Sequence, residues 1–385
     1  MIEAGKKTRV LIVDDSAFMR KVLQSIIAAD PQLEVCGEAR DGRDAVSQTE
    51  ALKPDVISMD INMPHVDGLQ ATEIIMSSNP RPIVIVSSES RDGAEVTLKA
   101  LELGAIDFVA KPSGGVDLDM NSVKEELCRK LKVAAKVRVV RTATRARLQQ
   151  EVASGAPRSE PKSFEQSLQE GRSAGAGAAV APAMRSGSKF PIVVVAASTG
   201  GPATMMRFVP YFPKDFPGAV ILVQHMPGSF TSQFSQQLAE VSQIKVKEAE
   251  PGEIVVSGQL YICPGSHHLR ISATGRINLD DGPRVGGYRP CADLTLESAG
   301  DYAGVMGIGV VLTGMGNDGA KGVQAIKNAG GHVIVQDEST AVIFGMPQEA
   351  IKTGVVDQIL PIDSIYGAIE KRVLFIFGAA KVGVL

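Results

Sequence analysis

Four cysteines are all the chain has, Cys36, Cys128, Cys263 and Cys291, and no two of them make a C-x-x-C pair. That excludes a disulfide framework and a structural zinc site, and it fits a reducing compartment. Long apolar runs are missing as well. The longest, 303–312 and 373–385, fall short of the roughly 18 residues that a membrane helix requires. No leader is read at the N-terminus, where MIEAGKKTRVLIVDDS sets acids directly behind a short apolar run. A cytoplasmic protein with no membrane insertion is therefore expected. Nor is there an excess of charge of one sign. The 40 Lys+Arg and 43 Asp+Glu leave a net of −3, so the chain as a whole is not a polyanion binder.

What is present is enough apolar material, 44% of 385 residues, for two cores. Charge divides the chain into an acidic part (1–123, net −8), a basic part (124–189, net +8) and a nearly neutral part (190–385, net −3). In the first part, short apolar runs at 10–13, 33–36, 56–59, 83–86 and 106–110 alternate with helical patterns at 16–29, 42–52, 68–78, about 93–103 and from about 121. Such βα alternation predicts a doubly wound parallel sheet. Residues 129–147 carry eight basic and no acidic residues. The plainest reading is a solvated helix face; contact with the acidic first domain or an acidic partner is the alternative. The Ala/Gly/Ser/Pro-rich sequence up to 189 predicts a linker. From 190 to 372, runs at 192–197, 219–224, 307–314 and 332–337 are continuously apolar, as parallel strands buried on both faces are. The stretch 254–277 predicts a small antiparallel excursion within this second, mainly parallel α/β domain. The apolar tail 373–385 has no assignment.

In the first domain, Asp14 and Asp15 follow one strand and Asp60 another. Ligands collect at the carboxyl edge of such sheets. Three carboxylates held close repel one another unless a proton or a hard cation intervenes, and Mg²⁺ is the natural solution. Ser87 ends a fourth strand, with Ser88 competing for its place, and Lys111 follows a fifth. Carboxylate, cation, hydroxyl and ammonium at one edge are the equipment for phosphoryl transfer to a carboxylate. A single strand-end Asp is more often a helix cap; five such groups on successive strands are not. VDDS (13–16), MDINMPHVDG (59–68), VSS (86–88) and DFVAKP (107–112) resemble the receiver domain of two-component response regulators, a flavodoxin-like fold. The resemblance implies Asp60 as phospho-acceptor and Mg²⁺ on Asp15, Asp60 and the Asn62 carbonyl, with Asp14 acting through water. It also implies Ser87 and Lys111 against the phosphoryl group, Phe108 as the switch aromatic, and a cis Lys111–Pro112 bond.

The second domain repeats the strand-end pattern with different groups. Its runs deliver Ser198, His225 and Asp318 to one edge, and Ala196, Ala197, Gly200 and Gly201 allow a sharp turn around the serine. This is the logic of a nucleophile elbow, although G-x-S-x-G is not met. In a Ser/His/Asp relay, Ser198 attacks a carbonyl, His225 moves the proton and Asp318 steadies the imidazole. Backbone amides of 314–316 are candidates for an oxyanion hole. A phosphate-binding reading of S-T-G-G lacks the required glycine or Gly-Lys spacing. Metal binding at His267–His268 lacks a third ligand.

AASTGGP (196–202), VQHMPGSFTSQFSQQL (223–238), YICPGSHHL (261–269), VVLTGMGNDGA (310–320) and GMPQEAI (345–351) resemble the catalytic domain of chemotaxis protein-glutamate methylesterases. A receiver, a linker and this domain make up that family's architecture. The resemblance implies Ser198, His225 and Asp318 as the triad, the Met315 amide in the oxyanion hole and Thr199 in support. It implies demethylation of glutamate γ-methyl esters and deamidation of glutamines on methyl-accepting chemotaxis receptors. No cofactor is expected for the esterase reaction, a chemotaxis histidine kinase is expected as phosphodonor, and no nucleic acid is expected as partner. A DNA-binding regulator fits the receiver and the basic stretch, but 190–385 carries no helix-turn-helix pattern. A catalytically idle scaffold differs from an enzyme by its indifference to Ser198→Ala.

Overall fold

A computed structural model describes residues 6–88, 90–111, 120–137, 139 and 190–381. Two compact units divide between Arg158 and Ser159.

The first unit is built on β1 (Thr8–Val13), β2 (Leu33–Ala39), β3 (Val56–Met59), β4 (Ile83–Ser87) and β5 (Asp107–Ala110). All neighbours pair in parallel, in the order β2-β1-β3-β4-β5. The order reverses at β1, so β1 and β3 lie side by side and their carboxyl ends open one crevice. The helices are α1 (Ala17–Ala28), α2 (Gly42–Leu52), α3 (Gly68–Ser78), α4 (Arg91–Glu102) and α5 (Met120–Ala134). Ser16, Asp41, Asp67 and Ser90 cap the first four by accepting backbone amides. Helix α5 continues past residue 123, and Leu127 and Leu131 are buried. The basic stretch beyond 139, the linker to 189 and Pro112 lie outside the described residues.

The main sheet of the second unit holds seven strands: β6 (Ile192–Ala197), β7 (Ala219–Gln224), β8 (Lys245–Glu248), β9 (Gln259–Ile262), β12 (Gly307–Val311), β13 (His332–Gln336) and β14 (Gln358–Leu360). They are ordered β14-β13-β12-β6-β7-β9-β8 and every pair is parallel. Strands β6, β7 and β12 are wholly buried, which is why their sequences are apolar without alternation. Helices α6 (Gly201–Phe208), α7 (Gly228–Val241), α8 (Ala292–Ala303), α9 (Ala320–Asn328), α10 (Met346–Lys352) and α11 (Ile362–Lys381) complete the unit.

Three details depart from the sequence reading. The antiparallel excursion predicted at 254–277 is present, with Ile254 bridging Arg276, but it does not take up the whole stretch. Residues 259–262 join the parallel sheet, and the antiparallel pair is β10 (His268–Ile271) with β11 (Ile277–Asp280). The strand predicted to reach 314 stops at Val311: the Leu312 amide still bonds Ala196 O of β6, but the Thr313 amide bonds the Gln336 side chain and the Gly314 amide bonds Ile343 O in a loop. The tail from 373 extends helix α11, with Val373 and Ile376 buried.

Candidate functional site

Strands β12, β6 and β7 are neighbours, so their carboxyl ends bring Asp318, Ser198 and His225 to one edge. Ser198 leaves β6 at a strand-to-helix turn. Gly200 takes a positive φ of 76° there, and a Cβ at that position would meet Val342 at 2.5 Å. The turn is fastened from both sides. The Ser198 amide donates to Thr313 O at 3.0 Å, and the His225 amide donates to Ala197 O at 3.0 Å.

The imidazole is held by Asp318, whose Oδ2 lies 2.7 Å from His225 Nε2. With Nε2–H donated to the carboxylate, Nδ1 carries the basic lone pair. Asp318 is 2% exposed and is anchored independently. Its Oδ2 accepts from Ala292 N at 2.7 Å, and its Oδ1 accepts from Asp293 N at 2.9 Å and Gly319 N at 3.0 Å. The Cys291 thiol donates to Oδ1 at 3.3 Å. Asp318 therefore caps helix α8 from outside that helix, at its positive end. Burial by itself would raise the Asp318 carboxyl, but the imidazole and the backbone amides of Ala292 and Asp293 outweigh it and hold the group below its ordinary value. Burial, followed by the neighbouring Asp318 charge, pushes Cys291 up to about 12, so the thiol stays protonated. Cys291, Asp293 and Asp318 offer donor atoms within 4.8 Å of one another, but both Asp318 oxygens and Asp293 Oδ1 are taken by amide donors, which accounts for the cluster without a cation.

The structure brings Ser198, His225 and Asp318 to one rim. Among the described residues, no hydrogen bond joins Ser198 Oγ to the imidazole. Met315 lies on the same rim, and among the described residues its amide donates to no acceptor. The preceding Gly314 carbonyl accepts from Gly345 and Met346 at 3.1 and 2.8 Å. Thr199 is buried, and its carbonyl accepts from Thr313 Oγ1 at 2.9 Å.

Three residues at this site had escaped the sequence reading. Gln224 ends β7 and is 1% exposed; its Nε2 donates to Ser198 O at 2.9 Å and to His225 O at 3.2 Å. Its signal was a polar residue closing an otherwise apolar run. Thr313 joins the Ser198 loop to Ile343 through its backbone and hydroxyl. Tyr288 stacks on His225, with ring centroids 4.6 Å apart and planes 18° apart. No motif pointed to it.

In the first unit, the crevice between β1 and β3 gathers the predicted carboxylates. Asp14, Asp15 and Asp60 offer oxygens within 4.8 Å of one another. Asp14 and Asp60 are buried and Asp15 is exposed. Lys111 Nζ bridges Asp14 Oδ2 at 2.9 Å and Asp60 Oδ2 at 2.8 Å. Burial raises the Asp60 carboxyl, with help from Asp14, and Lys111 opposes it only in part. Lys111 itself is raised, since Asp60 and Asp14 together outweigh its own burial. Ser87 Oγ is buried and has no hydrogen-bond partner among the described residues. An all-oxygen donor set with a buried, unused hydroxyl fits a hard divalent cation and a phosphoryl group. Asn62 sits exposed on the loop after β3. Phe108 is buried, with Lys130 Nζ 5.1 Å from its ring centroid.

Fold and site define a class: a two-unit protein in which a phosphoryl-accepting type of carboxylate crevice precedes an α/β unit with serine, histidine and aspartate at one sheet edge. The response regulator receiver domain matches residues 10–121, and CheB methylesterase matches residues 193–369. A protein-glutamate methylesterase/protein-glutamine glutaminase of Pyrococcus abyssi is 43% identical over 384 residues, covering 98% of this chain and 97% of its own length. A protein of the same description from Symbiobacterium thermophilum is 43% identical over 368 residues, covering 95% and 97%. The crystal structure of the Thermotoga maritima CheB methylesterase catalytic domain is 41% identical, covers 48% of this chain and 99% of its own, and superposes with a TM-score of 0.47. The chain belongs to the receiver-linked CheB methylesterase family.

Proposed function

We propose that this protein is a cytoplasmic, phosphorylation-activated hydrolase that demethylates glutamate γ-methyl esters on chemoreceptors and deamidates receptor glutamines. The observation that carries the reading is the buried Asp318 bonded to His225 at 2.7 Å, on the strand end beside Ser198.

In the reaction, Ser198 Oγ attacks the γ-carbonyl carbon and its proton passes to His225 Nδ1. Asp318, kept ionised by its amide donors, stabilises the imidazolium that forms. Charge that develops on the carbonyl oxygen is met by the Met315 amide, a kind of contact worth ~2.7–4 kcal/mol. The imidazolium then gives its proton to the leaving methoxide, releasing methanol, or to the leaving amine, releasing ammonia. His225 next takes a proton from water, which attacks the acyl-enzyme and frees the glutamate carboxylate and Ser198. Hydrogen bonds of the Ser-His kind characteristically tighten only once substrate is bound. Thr199, buried behind the nucleophile, supports the loop through its carbonyl bond to Thr313.

In the receiver, Asp60 accepts the phosphoryl group from the chemotaxis histidine kinase. Asp15, Asp60 and the Asn62 carbonyl would hold Mg²⁺, with Asp14 acting through water. When bound, Mg²⁺ supplies charge compensation for the phosphoryl oxygens. Lys111 pairs with the phosphoryl charge, Ser87 donates its unused hydroxyl to it, and Phe108 reorients in response.

Methanol release from methylated receptor membranes tests the reading. The wild-type protein is expected to release it and Ser198→Ala to release none. Equal rates would leave a scaffold in place of an enzyme.

A further inference from the structure

The hairpin after β11 is a built element. Val285 and Tyr288 exchange both backbone hydrogen bonds at 3.0 Å, around Gly286 (φ 60°) and Gly287 (φ 90°). Two consecutive positive φ angles make a type I′ turn, the tightest way to reverse a strand. The root is tied down as well. Arg289 Nη1 donates to Asp281 O at 2.6 Å and to Gly282 O at 2.9 Å, and buried His268 donates from Nε2 to Pro283 O at 3.1 Å.

One side of this hairpin belongs to the active site. The Tyr288 ring covers the His225 imidazole, and its hydroxyl stands where a Cβ on Gly316 would come within 1.9 Å. The other side faces outward. Arg284, Val285, Gly286 and Gly287 are exposed, and Val285 leaves 41% of its surface open. No catalytic step uses this tip. Its rigidity and its apolar, nearly side-chain-free apex suit contact with another surface rather than chemistry.

We infer that residues 281–290 form a docking lip of the cleft, fitted to the receptor helix that carries the ester; the inference rests on the methylesterase reading. A glutamyl ester on a helix ~10–12 Å across cannot reach Ser198 alone, because the helix surface arrives with it and abuts whatever stands over His225. Gly286 and Gly287 let the backbone approach closely, and Val285 meets the apolar stems of neighbouring side chains. Arg284 faces the unesterified carboxylates that a helix bearing several glutamates presents.

The test compares a small activated ester, p-nitrophenyl acetate, with methylated receptor membranes. Val285→Asp is expected to raise KM for receptor by about tenfold, the cost of one well-placed interface contact. Its kcat/KM on the small ester stays within about twofold of wild type, which also shows that the variant is folded. Arg284→Glu supplies a second reading at the same tip, with the same pattern expected. Wild-type KM for receptor in both variants would overturn the docking lip alone. No methanol release from the wild-type protein would overturn the methylesterase reading and the lip with it.

Discussion

At the scale of single residues, Gln224 acts as a clamp. One side-chain amide bonds the main chains of both Ser198 and His225, so the spacing of nucleophile and base depends on it. Gln224→Leu takes the side-chain donor from the part-buried His225 carbonyl and one of two donors from the Ser198 carbonyl, which keeps the Gly201 amide at 2.8 Å, a loss of about 1 kcal/mol. Small misplacements of reacting groups cost up to about 100-fold. We expect kcat on p-nitrophenyl acetate to fall about 10- to 100-fold with KM little changed, as steady-state kinetics would show. Asp318→Asn should cost about 10⁴-fold in kcat, since the amide no longer sets the imidazole tautomer. The same carboxyl leaves a mark on stability. A group held below its unfolded value adds stability that is complete above about pH 3.9 and is lost as pH falls through the lower folded value. Asp318→Asn should therefore flatten the acid limb below about pH 4 in urea titrations.

At the scale of elements, the site is a matter of helix ends and turns. Helix α8 has no cap from its own N-terminal residue, Cys291, and takes Asp318 instead, so catalytic and capping roles fall on one carboxylate. Helix α6 begins at Gly201, where a Cβ would lie 2.0 Å from Gln224 Oε1. Gly201→Ala must push the clamp aside, and its loss of kcat should match that of Gln224→Leu and not add to it in the double variant. The strands of the first sheet and the central strands of the second were legible because burial on two faces demands unbroken apolar runs, as in IVVVAA and AVILVQ, whereas β8 (KVKE) and β14 (QIL), at the two edges of the second sheet and only partly buried, carry no such run and were not read. Strand β9 was misread as antiparallel because four residues, QLYI, carry no mark of pairing direction. The extension of α11 as far as Lys381 was missed because an apolar run shows burial without naming what it packs on.

At the scale of the whole molecule, each unit has its own sheet and its own buried core, so calorimetry should resolve two transitions. Mg²⁺ should raise only the receiver transition, by mass action on the carboxylate crevice, and Asp60→Asn should diminish that rise. A small phosphodonor should raise methanol release from receptor membranes, and Asp60→Asn should abolish the increase. The candidate triad and the receiver carboxylates could be read from the chain alone because strand-end residues of a parallel sheet converge on one edge whatever their separation in sequence. Tyr288 over the imidazole, Gln224 across two backbones and Asp318 as the cap of a distant helix could not be read that way. Each is a contact between loops whose meeting depends on how helices and turns pack, and no local spacing encodes that packing.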